Sequence, residues 1–178
     1  MAIEFVVEDG TGKSDATSYV SVAEMKQYWD NMGYDYSALS DDEIEQLLNK
    51  STQVLDGMYR HLFPGIRSIG TQALQWPRDW ATTYDRYDIG SGSIPDAIED
   101  ALCEMAYLKN SGETLQPAHE GGALTSKSVS VDGAVSKSES YSPGTAPLNG
   151  RKRFVAVEDC LRKILGPMYK ASLTVVRT

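Results

Sequence analysis

Apolar residues recur at helical spacing in four stretches, and these predict four helices. The first begins at Ser21-Val22-Ala23-Glu24, a capping box in which the serine hydroxyl accepts from the Glu24 amide and the glutamate reaches back. Val22, Met25, Trp29 and Met32 then fall on one side, and Gly33 stops the helix. Ser40-Asp41-Asp42-Glu43 repeats the box and opens the longest pattern, Ile44, Leu47, Leu48, Ser51, Leu55, Met58 and Leu62, broken by Phe63-Pro64-Gly65. Ile94-Pro95 opens a third helix with the stripe Ile98, Ala101, Leu102, Met105 and Leu108, ended by Gly112. Phe154, Val157, Leu161, Ile164 and Leu165 form a fourth, stopped by Gly166-Pro167.

Other stretches have a period nearer two. Ile3-Glu4-Phe5-Val6-Val7 reads as a short strand, turned by Glu8-Asp9-Gly10-Thr11-Gly12. Ser126 to Tyr141 holds two polar, β-leaning runs around Asp132-Gly133, a dipeptide suited to a type I′ hairpin turn. A ribbon this poor in apolar groups is marginal alone. It is expected to project from the helical body and to order against a neighbour. Ser142 to Pro147 reads as a linker, and Ser172 to Val176 as a β-prone end able to pair with another edge.

Between the second and third helices lies Gln72-Ala73-Leu74-Gln75-Trp76-Pro77-Arg78. In an extended segment Leu74 and Trp76 point to one face, and Pro77 ends central strand pairing. Leu74, Trp76, Pro77 and Arg78 are therefore taken as a structural anchor, with Arg78 and Asp79 returning the chain to water beside a second indole, Trp80. Residues 80–93 read as a mobile polar and aromatic loop. The fold expected is mainly α: about a four-helix bundle body with an inserted polar β-hairpin and extended N- and C-terminal segments. It forms one domain over 1–178, with the body at 18–112 and 151–166, the hairpin at 124–141 and a tail at 167–178.

Charge sharpens this division. Residues 1–112 hold 8 Lys+Arg against 19 Asp+Glu, a net −11, whereas residues 113–178 hold 9 against 6, a net +3, recovering the chain's −8. An acidic bulk disfavours a free-standing nucleic-acid binder, whose affinity comes from cations on phosphate. The basic last third, with the run Arg151-Lys152-Arg153, suits docking on an acidic partner or proximity to DNA, or is a plain excess of three charges. No apolar run suits a membrane span or a secretory leader, so a cytoplasm-like setting is expected. Cys103 and Cys160 read as buried free thiols.

Chemistry-bearing patterns are sparse. Gly12-Lys13-Ser14 suggests a phosphate loop, but Val7 stands where that motif needs glycine, and no helix starts at once. His61 and His119 have no Cys or His at ligand spacing, and no serine sits in a nucleophile elbow. The carboxylates read as surface charge. No catalytic residue, metal or cofactor is expected. Tyr84, Arg86 and Tyr87 are the best local candidates for stacking on single-stranded DNA, weakened by Asp85 and Asp88. The alternative is that these tyrosines pack or hydrogen-bond within their loop.

Five segments together carry a family likeness. Val6 to Gly12, Thr17-Ser18-Tyr19-Val20-Ser21-Val22-Ala23-Glu24, Gln72 to Arg78, Ile94-Pro95 and Arg153-Phe154 resemble tailed-phage head-tail connector (adaptor) proteins, many labelled putative DnaT-like single-stranded-DNA-binding protein. Val155 stands where the usual proline follows Arg153-Phe154, and the loop from Arg78 to Ile94 is long. The resemblance implies a ring of about twelve copies below the portal, assembled in the host cytoplasm and carried in the virion neck. The ring would extend the channel for double-stranded DNA, without sequence-specific binding, and dock the next neck or tail component. No active site and no membrane contact are implied. Candidate portal or neighbour contacts are Arg151, Lys152, Arg153, Val175, Val176 and Arg177, from the charge asymmetry and the β-prone end. Candidate inter-subunit contacts on the hairpin are Lys127, Val129, Val131 and Lys137. The other reading is a DnaT-like single-stranded-DNA-binding module.

Overall fold

The computed structural model describes residues 4–115, 124–131, 135–141 and 153–166, the two strands among these by their backbone. Four helices carry it: α1 (Val22–Met32), α2 (Asp41–Tyr59), α3 (Asp96–Asn110) and α4 (Val155–Leu165). Two two-residue strands, β1 (Ile66–Arg67) and β2 (Arg78–Asp79), pair antiparallel, and so do the longer β3 (Leu124–Val131) and β4 (Val135–Tyr141). The fold is mainly helical with a small hairpin. The chain forms two compact units, 1–115 with 154–178, and 116–153.

Both capping boxes form. Ser21 Oγ accepts from the Glu24 amide, Ser40 Oγ accepts from the Glu43 amide, and each glutamate returns to the serine amide. Gly33 ends α1 in the left-handed region, where glycine has no Cβ to crowd. α3 packs against each of the other three helices. Met25, Trp29, Ile44, Leu48, Leu55, Ile98, Leu102, Met105, Val157 and Leu161 close the core between them. Trp29 donates its indole N–H to the Cys103 carbonyl at 3.1 Å and meets Tyr34 and Tyr107 edge-on, while those two rings stack at 3.6 Å. Cys103 is buried and Cys160 half-buried, and both are free thiols. Burial raises the pKa of Cys160 to about 11, which keeps it protonated and unreactive at neutral pH.

Several details depart from the periodic reading. Met32 is exposed in the last turn of α1, on a face that no neighbouring element covers there, and Leu62 is exposed past the end of α2. Residues 4–7 form no strand. Val7 makes a single parallel bridge to Ser18, and the Val6 carbonyl accepts from the amides of Thr17 and Ser18. β-type side chains do not make a strand where no long edge is available to pair. Residues 80–93 are tied down rather than loose: Ile89 donates to Ala81, Thr83 to Tyr87 and Tyr84 to Lys163 of α4. Arg78 does not return to water but is buried. The turn at Asp132-Gly133, the linker and the β-prone end lie outside the described residues.

The caps and the core differ in what they contribute. Ser40→Ala removes one exposed cap and should cost about 1 kcal/mol. Leu102→Ala opens a cavity in the α3 core and should cost about 2–5 kcal/mol. Urea unfolding midpoints of the two variants against the wild type check that order.

Candidate functional site

The Gln72–Arg78 anchor is held largely by side chains, and only Arg78 at its end joins the short β1–β2 pair. Tyr19, just before α1, donates its hydroxyl to the Asp56 carboxylate of α2 at 2.7 Å, and that same hydroxyl accepts from the Gln75 amide at 2.9 Å and the Trp76 amide at 3.2 Å. The Gln75 amide also reaches Asp56 Oδ2 at 3.0 Å. Gln72 donates to the carbonyls of Leu74 and Pro77 and accepts from the Ile69 amide. Arg78 donates to the carbonyls of Pro64 and Gly65, each at 2.7 Å. The arginine therefore supplies donors to a backbone that β1 alone leaves short of partners. Leu74, Trp76 and Pro77 are buried, Phe63 meets Trp76 at an edge, and the Trp76–Pro77 peptide is cis.

Carboxylates read from the sequence as surface charge divide in two. Glu8, Asp56, Glu104 and Glu158 are buried. Burial raises the Asp56 pKa to about 6, against the hydrogen bonds from Tyr19 and Gln75 and the fields of Arg78 and Arg60, which lower it. Glu104 accepts from the hydroxyls of Tyr28 at 2.9 Å and Tyr34 at 3.2 Å. Burial, with Glu104 adding to it, raises the pKa of both phenols, so they remain donors.

The glycine turn at 8–13 is already filled. Glu8 Oε1 accepts from the amides of Gly10 and Gly12, and Oε2 from the amide of Lys13, at 2.8–3.0 Å. The Lys13 ammonium donates to the Val7 carbonyl and pairs with Asp9. An internal carboxylate thus takes the place a phosphate would need.

Directly after the anchor the chain comes out onto the surface. Trp80 is 80% exposed at φ 55°, a left-handed conformation that a bulky residue seldom adopts. Gly65, also left-handed, lies so close to the Asp79 carbonyl and Ala81 that a Cβ there would collide. β1 places Ile66, 54% exposed, opposite Asp79 and next in register to Trp80. From Ala81 to Ile89 the chain folds back on itself through a Thr82–Asp88 bridge, with Arg86 at φ 68° in the turn. Tyr84 and Tyr87 are exposed there, with Asp85, Arg86 and Asp88. Tyr84 also lies over Gly166, where a Cβ would meet its ring.

The other sequence candidates are scattered. Arg153 is exposed beside the buried Phe154, whereas Arg151, Lys152, Val175, Val176 and Arg177 lie outside the described residues. In the hairpin, Val129 pairs with Lys137, Lys127 with Glu139 and Val131 with Val135. His61 is exposed, and His119 lies outside the described residues. Among the described residues no group of His, Cys, Asp and Glu is placed to hold a metal ion, and no helix is long and apolar enough to cross a membrane.

A family model described as putative DnaT-like ssDNA binding protein matches residues 3–178. The chain belongs to that family. No curated protein and no solved structure matches it. The family's description fits single-stranded-DNA binding more closely than a place in a phage neck, for which these comparisons hold no finding. Within this member of the family, the surface around Trp80 and the Tyr84–Tyr87 turn is the most distinctive exposed feature. Trp80, Ile66 and Ile69 were not legible as surface residues, since periodicity does not encode a left-handed backbone. Asp56 falls on the same face of α2 as the buried Leu48, Thr52 and Tyr59, a placement that the surface-charge reading of the carboxylates passed over.

The raised pKa of Asp56 sets a pH dependence. Between about pH 4 and 6 the folded chain holds a proton that the unfolded chain has released, so this group's contribution to stability falls as pH rises through that window. The full fall is on the order of 3 kcal/mol, two pKa units at about 1.4 kcal/mol each. Asp56→Asn should flatten that part of the profile of unfolding free energy against pH, as read by urea titration at pH 4, 5, 6 and 7.

Proposed function

We propose that this chain is a structural assembly protein, a head-tail connector (adaptor) that forms a ring below a phage portal, extends the DNA channel and docks the next neck or tail component. The observation that carries the reading is the exposure of the large apolar side chains of Ile66, Ile69, Trp80 and Tyr87 on a body dominated by acids. Large apolar side chains left in water favour protein contact. Phosphate tracking needs cations lining a groove, and the tyrosine turn instead sets Asp85 and Asp88 beside its single Arg86. The whole-chain resemblance to phage connectors supports the same reading. An acidic wall would repel phosphates and let DNA slide, which suits passage better than tight binding. In this proposal the protein works without catalysis or cofactor, in the virion, with its own copies, the portal and a downstream neck or tail protein as partners.

A second reading, a single-stranded-DNA-binding module, is favoured by the family description and by the exposed rings of Trp80, Tyr84 and Tyr87. Stacking on aromatic rings tolerates any base.

The two readings separate in solution. The connector reading expects ring-sized species by light scattering, alone or on addition of portal rings, and no salt-dependent anisotropy change of labelled oligo-dT at micromolar protein. A chain that remains a monomer in both conditions and binds oligo-dT, with affinity falling as salt rises, would establish the second reading instead.

A further inference from the structure

The turn that follows Trp80 sets free carboxylates next to exposed rings. Tyr84, Asp85, Arg86, Tyr87 and Asp88 follow one another on it, and all are exposed. Tyr87 is 73% exposed, and Trp80, at the base of the turn, 80%. Among the described residues neither Asp85 nor Asp88 takes part in a salt bridge. The turn is nevertheless rigidly held. Ile89 donates to the Ala81 carbonyl at 2.9 Å, Thr83 to the Tyr87 carbonyl at 2.8 Å, and Arg86 to the Thr83 carbonyl at 2.9 Å. The Thr83 hydroxyl accepts from the Tyr87 amide at 3.1 Å. The Tyr84 amide, at 3.0 Å from the Lys163 carbonyl, ties the turn to α4. Its shape is therefore set before any partner arrives, which lowers the ordering cost of binding.

We infer that the 80–89 turn is a docking site for an arginine-bearing segment of a partner protein. Charge complementarity names the occupant. The turn offers two carboxylates against one guanidinium, on a stretch of chain, residues 1–112, whose net charge is −11. A partner rich in phosphate would be repelled there. A purely apolar partner would cover the rings only by stripping water from Asp85 and Asp88 with no cation to replace it. An arginine meets both demands. Its planar guanidinium stacks on the face of Tyr87 or Trp80 and still presents N–H donors to a carboxylate. Lysine satisfies the acid but lacks the planar face, so the turn should prefer arginine. This inference rests on the assembly reading above for the partner's being a protein, and it supplies the chemistry of that partner's contact.

The test uses the full chain and its own fluorescence. Trp29 and Trp76 are fully buried, so Trp80 is the indole that a docked peptide can reach. The probe is a short Gly-Ser peptide with arginine at every second position, compared with its lysine and glutamate counterparts. The arginine peptide should change the indole emission saturably, the lysine peptide should bind several-fold more weakly, and the glutamate peptide should have no effect. Asp85→Asn with Asp88→Asn should weaken binding by about tenfold, and Tyr87→Ala by about fivefold, with circular dichroism unchanged. Asp15→Asn with Asp42→Asn removes the same charge from other exposed positions and should change binding less than about twofold. Trp80→Phe should abolish the emission change. An equal loss in the Asp15 and Asp42 control, full binding without Asp85 and Asp88, or an emission change that survives Trp80→Phe would overturn the docking site. So would quenching of Trp80 by oligo-dT in place of the peptide. Rings that form by a chain deaf to the peptide would overturn this site and leave the assembly reading standing. Peptide binding at the turn by a chain that stays monomeric, alone and with portal rings, would uphold the site and overturn the assembly reading.

Discussion

Inside the body the Asp56 carboxyl joins three parts of the chain that are distant in sequence. It sits on α2, takes the Tyr19 hydroxyl from the segment before α1, and shares with it the Gln75 amide, while the Trp76 amide goes to Tyr19. Each of those backbone donors is enclosed, and a buried amide without an acceptor is costly. The chain therefore follows one path between Phe63 and Asp79. Arg78 secures the other side of that path through the carbonyls of Pro64 and Gly65. Both side chains bond to backbone groups, which lets a loop with little regular structure behave as a rigid piece. Desolvation outweighs the hydrogen bonds at Asp56, so the site favours a protonated acid well above the ordinary range.

That rigidity decides what happens next along the chain. With Arg78 and Asp79 fixed by pairing to β1, Trp80 has to leave the core at the first residue after the pairing. Its left-handed backbone aims the indole outward rather than back toward Trp76. The 81–89 turn is then closed on itself and bonded to α4, so the exposed rings sit on a fixed support. Surfaces of this kind suit recognition, because little order has to be imposed when a partner arrives.

Much of the helical architecture could be read directly. Ser21 and Ser40 announce their helices through local rules, and Gly33 closes α1 for a reason contained in one residue. Met32 shows the limit of periodicity, which places a residue on a face but does not say whether a neighbour covers that face. Asp56 and Arg78 show a second limit. Their burial depends on partners as far as 37 residues away, and no local pattern contains those partners. The glycine turn at 8–13 shows a third. Its resemblance to an anion cradle was real, but the anion proved to be the chain's own Glu8. The expected N-terminal strand failed because β-forming side chains there find one bridge and no ladder.

The ribbon formed by β3 and β4 enters and leaves the sequence between Leu115 and Phe154, both buried in the helical unit. Its own hydrogen bonds close within it. Lengthening or shortening both strands in step would preserve that pairing, so the ribbon's length is set by the match between its own two strands.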